Sequence, residues 1–171
     1  MMGYYRSMER SSQAPEPAET LGFRLSELGW NQARLFRSTI EPCGLEPVEF
    51  TVLRTLVEHA GASQKTVCRI LQITPTRMVG LIDSLEAKGF VERRQNADDR
   101  RARAVHLTAS GRRTLRRALD ELMKAERWLC EPLIGDEREV LLRLLGRISD
   151  HVGLGRDLYP ARVMGWPWPD S

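Results

Sequence analysis

Apolar residues recur at three- and four-residue spacing along most of the chain between Leu21 and Val152, which predicts a succession of helices. The first covers about Leu21–Ile40: Leu21, Leu25, Leu28 and Leu35 keep helical spacing, Gln32 interrupts their stripe, and Pro42 and Gly44 end it. A second runs from Pro47, at a first-turn position, to about His59, with Phe50, Leu53, Leu56 and Val57 facing inward and Gly61 as its stop. Ser63 reads as the N-cap of a short helix to about Leu71 that buries Val67, Ile70 and Leu71. After a tight turn at Gln72 and Ile73, Thr74 caps the next helix, and Pro75 takes its first position, where a missing N–H costs nothing. That helix buries Met78, Leu81, Ile82 and Leu85 and stops at Gly89.

The pattern then changes. Two strand-like runs, Phe90–Arg94 and Arg103–Thr108, flank a polar tip that holds Asn96, Asp98 and Asp99 among arginines, which predicts a β-hairpin. Thr108 caps a long helix through about Cys130, with Leu115, Leu119, Leu122, Met123 and Leu129 at helical spacing. Pro132 and Gly135 break the chain, and Asp136 caps a last helix to about Val152. The predicted fold is therefore mostly α with a small β-hairpin. A short helix, a turn and a longer helix leading directly into the hairpin make a winged helix-turn-helix lobe, about residues 47–108. Residues 1–20, with Pro15 and Pro17, read as a disordered tail, and residues 153–171 as an irregular one ending in Trp166-Pro167-Trp168-Pro169.

Charge adds what periodicity does not. From Phe90 to Arg117 nine arginines stand against three acids, a balance of +6, whereas the whole chain carries +3 and the remainder therefore −3. A hairpin loaded with guanidinium groups suits a polyanion, and nucleic acid is the natural one. With 171 residues, 42% hydrophobic and 29% charged, the composition is that of one soluble domain with tails. No run approaches the roughly 18 apolar residues that span a bilayer, and the first residues have no signal-peptide pattern, so the expected location is cytoplasmic. Cys43, Cys68 and Cys130 have neither paired nor metal-ligand spacing, and His59, His106 and His151 share no ligand spacing, so no metal site and no cofactor are expected. No nucleophile–base grouping or phosphate loop points to an enzyme.

The stretch LIDSLEAKGFVERRQNADDRRARAVHLTASG, Leu81–Gly111, resembles the MarR family of bacterial winged-helix transcription regulators. It holds an Asp-x-Arg element as Asp99-Arg100-Arg101, followed by a Leu-Thr-x-x-Gly element from Leu107 to Gly111, and the likeness extends over about Leu21–Val152. The resemblance implies a homodimer built from the helices at about 21–40 and 109–152, with two lobes gripping palindromic double-stranded DNA. It further implies a regulator, usually a repressor, whose lobes change separation on binding a small aromatic or phenolic effector.

In a helix-turn-helix the second helix enters the major groove and its N-terminal residues reach base edges, which selects Thr76, Arg77, Val79 and Gly80, with Thr74 at the cap; Thr76 can meet a thymine methyl or a phosphate. Arg77 can take guanine O6 and N7 in a bidentate fork or meet a phosphate. Val79 and Gly80 depart from the family, many of whose members carry Thr-Arg there; Gly80 either lets the backbone approach the groove closely or is simply a weak helix position. Ser63, Gln64 and Lys65 open the preceding helix, where free N–H groups, the helix dipole and a lysine suit a phosphate. In the wing, Arg100, Arg101 and Arg103 are expected at the minor groove. Arg93 and Arg94 alternate faces, so one of them, Arg94, is assigned to DNA. Asp99 is read as an internal brace of the tip, and the resemblance adds Asp83, paired with Arg101, as a second. Arg112, Arg113, Arg116 and Arg117 read as a solvated helix face.

For an effector, Trp30, Phe36 and Trp128 offer aromatic walls and Arg34 and Arg37 cationic anchors; core, interface or surface roles compete for the same residues. Two alternatives stand beside the main reading. One is a winged-helix module for architecture or protein assembly without an effector. The other is a redox-responsive regulator using Cys43, for which the thiol must be exposed.

Overall fold

The computed structural model describes residues 20–95 and 103–153, with backbone alone at Gln95 and Arg103. The elements follow in the order α1 (Leu21–Ile40), a 3-10 turn (Glu41–Cys43), α2 (Pro47–Glu58), α3 (Gln64–Leu71), α4 (Pro75–Ala87), β1 (Val91–Gln95), β2 (Arg103–Leu107), α5 (Ala109–Leu129) and α6 (Glu137–His151). The chain divides into two compact units, Met1–Leu35 and Phe36–Ser171, so α1 belongs to both. Every predicted element is present, and boundaries differ by a residue or two, as helix and strand ends do.

Within the second unit the core is built around α2. Phe50, Val52, Leu53 and Leu56 are buried, and Ile82, Met78 and Leu85 from α4, Val67 and Leu71 from α3, Val91 and Val105 from the hairpin and Leu115 and Ala118 from α5 join the same cluster. Phe36 packs edge-on against Phe50, ring centroids 5.4 Å apart. Because neighbours cover most of α2, its polar residues Glu49, Thr51 and Thr55 are buried too, and among the described residues no buried side-chain polar atom lacks a partner. Thr51 donates to the Pro47 carbonyl at 3.0 Å. Glu49 accepts from the Glu46 N–H, the Ser84 hydroxyl and Lys88.

Two inward assignments need correction. Val57 is 54% exposed, since it shares the outward stripe of α2 with Arg54 and Glu58. Ile70 is 36% exposed, because α3 is short and packs mainly through Val67 and Leu71. Thr74 and Asp136 hold the N-cap positions of α4 and α6 but make no side-chain cap bond. Ser63 and Thr108 do cap, accepting from the Thr66 and Gly111 N–H groups.

The hairpin is antiparallel, with Val91 opposite Leu107, Arg93 opposite Val105 and Arg94 opposite Ala104. It is fastened on both sides. Ala104 forms a bridge with Ser63, and the Val105 N–H donates to the Ala62 carbonyl at 3.1 Å, so β2 also pairs with the segment that starts α3. At the hairpin base, Thr108 donates through its N–H to the Phe90 carbonyl and through its hydroxyl to the Gly89 carbonyl at 2.7 Å. Gly111 lies so close that a Cβ there would stand 2.0 Å from the Phe90 oxygen. The Leu-Thr-x-x-Gly element is thus a buckle between hairpin and α5, and its glycine is fixed by close backbone approach.

Candidate nucleic-acid interface

The helix-turn-helix is α3, a turn and α4. Gln72 closes α3 in the left-handed region at φ 52°, which reverses the chain in the space of a few residues and brings in α4. Met78, Ile82 and Leu85 anchor α4 to the core, so Thr74, Pro75, Thr76 and Arg77 stand exposed at its N-terminal end. Arg77 makes no ion pair among the described residues, leaving its five donors for an external partner. Lys65, in the first turn of α3, is likewise exposed, with Gln64 half-buried beside it. Ser63 is held by its capping role: its oxygen takes the Thr66 N–H at 3.1 Å and lies 3.0 Å from the Thr66 hydroxyl.

On β1 the alternation sends the two arginines to opposite faces. Arg93 lies along α4, its side chain 16% exposed, with Asp83 and Glu86 as ion-pair partners. Its burial works against the charge, but the two carboxylates outweigh that and raise its pKa further. Arg94 projects to solvent and pairs with Glu92 of its own strand at 2.5 Å. Among the described residues the partner of Asp83 is therefore Arg93; Arg101, which the resemblance paired with it, lies outside them. Arg100 and Asp99 also lie outside the described residues, and Arg103 starts β2 with its side chain outside them. Arg112, Arg113, Arg116 and Arg117 are all exposed along α5.

Glu49 is the residue that sequence reading passed over. It is buried at the start of α2 and takes Lys88, just past α4, at 2.7 Å and Ser84, within α4, at 2.8 Å. Burial pushes its pKa up, yet the Glu46 N–H, Lys88 and Ser84 together hold the carboxyl below its ordinary value. This ties the C-terminal end of α4 to the core, so that α4 is fixed at both ends. A glutamate two residues after a helix-starting proline looked like an ordinary first-turn acid; the only available signal was its position among the buried turns of α2.

Of the residues considered for an effector, Phe36 is engaged with Phe50, Arg37 is half-buried, and Trp128 is 66% exposed. Trp30 and Arg34, both exposed, belong to the N-terminal unit. Cys43 does not meet the requirement of a redox sensor: it is 8% exposed and packed in the core, because the 3-10 turn folds it inward beside Ile40 and Leu45. Among the described residues no group of three His, Cys, Asp or Glu side chains could hold a metal ion. None of the helices among them is long and apolar enough to cross a membrane.

Known proteins share this arrangement. A sequence model of the MarR family matches residues 44–102. The transcriptional regulator PecS of Dickeya dadantii is 27% identical over 147 residues, which cover 84% of this chain and 88% of PecS. The structure of the transcriptional repressor CouR bound to a 23-mer DNA duplex superposes with a TM-score of 0.67 at 31% identity, over 81% of this chain and 99% of that one. CouR from Rhodococcus jostii RHA1 bound to p-coumaroyl-CoA is similar at a TM-score of 0.62 and 25% identity, covering 80% and 94% of the two chains. With a likeness running almost the full length of a DNA-bound repressor, and with helix-turn-helix and wing in the same order, the chain belongs to the MarR family of DNA-binding transcription regulators.

Proposed function

We propose that this regulator acts as a homodimeric repressor on palindromic operators and is released by a small aromatic or phenolic effector. The observation that carries the DNA part is the N-terminal end of α4. There Thr76 and Arg77 stand exposed on a helix anchored at both ends, beside the capped start of α3 with Lys65. In this reading Thr74, Thr76 and Arg77 meet the major groove, and Ser63, Gln64 and Lys65 meet phosphate. Arg94, Arg100, Arg101 and Arg103 supply the wing's positive charge, with Asp83 bracing it through Arg93 and Asp99 bracing its tip.

The dimer is supported by what the second unit leaves uncovered. In α6 no residue is buried, although Leu141, Leu142 and Leu144 are present, and in α5 Leu119, Met123, Trp128 and Leu129 are exposed. Apolar faces of this size call for a partner, and a second copy supplies one with the same chemistry. The effector class is supported by the relative bound to p-coumaroyl-CoA; Trp128 and Arg37 are its candidate contacts in the second unit, while Trp30 and Arg34 offer the same chemistry in the first.

The experiment has two arms. Analytical ultracentrifugation of the full chain gives twice the chain mass for the dimer, and a concentration-independent monomer rejects it. DNA selected from a random pool is then titrated with and without p-coumaroyl-CoA and free phenolic acids. Tight binding that one of these weakens supports the reading, and binding that none of them changes rejects the effector class.

A further inference from the structure

The outward face of α4 is unusual for a helix expected to read bases by hydrogen bonds. Met78, Ile82 and Leu85 point to the core, and with about 3.6 residues per turn the line opposite them runs through Thr76, Gly80 and Asp83. Gly80 sits at the middle of that line. A Cβ at Gly80 would meet nothing within 4 Å, and its φ is not in the left-handed region. Neither internal crowding nor backbone handedness therefore requires glycine, in a helix interior where glycine is unfavourable. Beside it Val79 is 44% exposed, an apolar side chain flanking the glycine on one side as Arg77 does on the other. Asp83, one turn on, is drawn toward the hairpin by Arg93, which it shares with Glu86, so its carboxylate is held in an ion pair rather than extended over Gly80.

We infer that Gly80 lets the α4 backbone approach the major groove closely and that Val79 reads a thymine through its 5-methyl group. The major-groove edge of thymine is the one base edge that offers an apolar group, and small aliphatic side chains are its natural partners. A bare backbone at the centre of the face and a methyl-bearing side chain at its edge select for shape and apolar contact where a longer polar side chain would hold the helix away. This rests on α4 being the reading helix, as proposed above.

The test uses the full chain and a selected operator in which each thymine in turn is replaced by uracil, which lacks only the methyl. Wild type loses about fourfold in affinity at one thymine of each half-site, the effect of removing one methylene-sized group from apolar contact. In Val79→Ala, whose side chain is exposed and not needed for folding, the thymine-to-uracil ratio at that position falls to about one. Gly80→Ala remains folded, with a melting temperature at or above wild type, and binds the operator about tenfold or more weakly, because a Cβ stands at the point of approach. Equal affinity for thymine and uracil at every position overturns the methyl contact, and a ratio unchanged by Val79→Ala overturns its assignment to that residue. Undiminished binding by Gly80→Ala overturns the close approach. Should wild type not distinguish the operator from random DNA, the reading role of α4 fails and this inference with it; discrimination without methyl sensitivity sinks the inference alone.

Discussion

Replacing Gly111 by alanine adds one methyl group and is expected to be among the most damaging small changes in the chain. The added Cβ would stand 2.0 Å from the Phe90 carbonyl oxygen, and an ordinary contact begins at 3.4 Å, so backbone must move by about 1.4 Å. Neither side yields easily. The Phe90 carbonyl accepts the Thr108 N–H at 3.1 Å, and the Leu107 side chain lies 3.1 Å from the same Cβ position. Overpacking against rigid backbone takes the upper part of its usual range, about 3 kcal/mol. The strained Thr108 bond adds about 1 kcal/mol, and the better helix propensity of alanine offsets about 1 kcal/mol. The net expectation is a loss of about 3 kcal/mol. Urea unfolding measures it, at one fixed protein concentration because oligomer stability depends on concentration, with the m-value compared between variants. Gly80→Ala is the control: the same change in open space within α4 should stabilise by about 0.8–1 kcal/mol. A loss below about 1 kcal/mol for Gly111→Ala, or equal losses for both variants, would refute the close-approach argument.

Three further outcomes are expected. Arg77→Ala relaxes discrimination at one base position by about 1–3 kcal/mol; competition against a panel of point-mutated operators checks this, and equal losses on every operator would reduce Arg77 to a phosphate contact. Lys65→Ala weakens binding uniformly across sequences and lowers the slope of log affinity against log salt by about one unit, measured by titration at several salt concentrations. Glu49→Gln destabilises by about 1–3 kcal/mol at neutral pH, since it removes the charge that binds Lys88 and Ser84. Because the folded-state pKa of Glu49 is lowered, its contribution is complete above the unfolded value of about 4.3 and is lost as pH falls through the folded value. The gap between wild type and Glu49→Gln therefore stays constant from about pH 6 to 8 and closes in acid below the ordinary carboxylate range; urea curves extended from neutral pH into that acid range check it, and a gap that widens in acid would contradict the charge argument.

The helices were legible because their ends carry local chemistry. Pro47 and Pro75 at first-turn positions, Ser63 and Thr108 as caps, and Gly89 after α4 each act within a few residues. What escaped the sequence depends on residues far apart in it. The burial of Glu49 and Val52 follows from α2 being surrounded on nearly all sides, whereas one-sided periodicity predicts a helix with an outer face. That Arg93 pairs with Asp83 and Glu86 requires the hairpin to lie along α4, which spacing does not encode. The bridge of Ala104 to Ser63 is of the same kind. Gly111 could be noticed as part of a motif, but the reason for it is a carbonyl some twenty residues earlier in the chain. At the candidate site, exposure of Thr76 and Arg77 was foreseeable from the core positions around them, while the open space at Gly80 was not.

The central claim is that the exposed end of α4 reads DNA sequence while the wing and the start of α3 supply grip. Its most direct measurement is the ratio of affinities, at one salt concentration, for a selected operator and for random DNA of equal length. For a specific regulator the ratio should be about 10³ or more, and Arg77→Ala should lower it while Lys65→Ala leaves it nearly unchanged. A wild-type ratio near one, or a ratio that falls with Lys65→Ala and not with Arg77→Ala, would contradict the account.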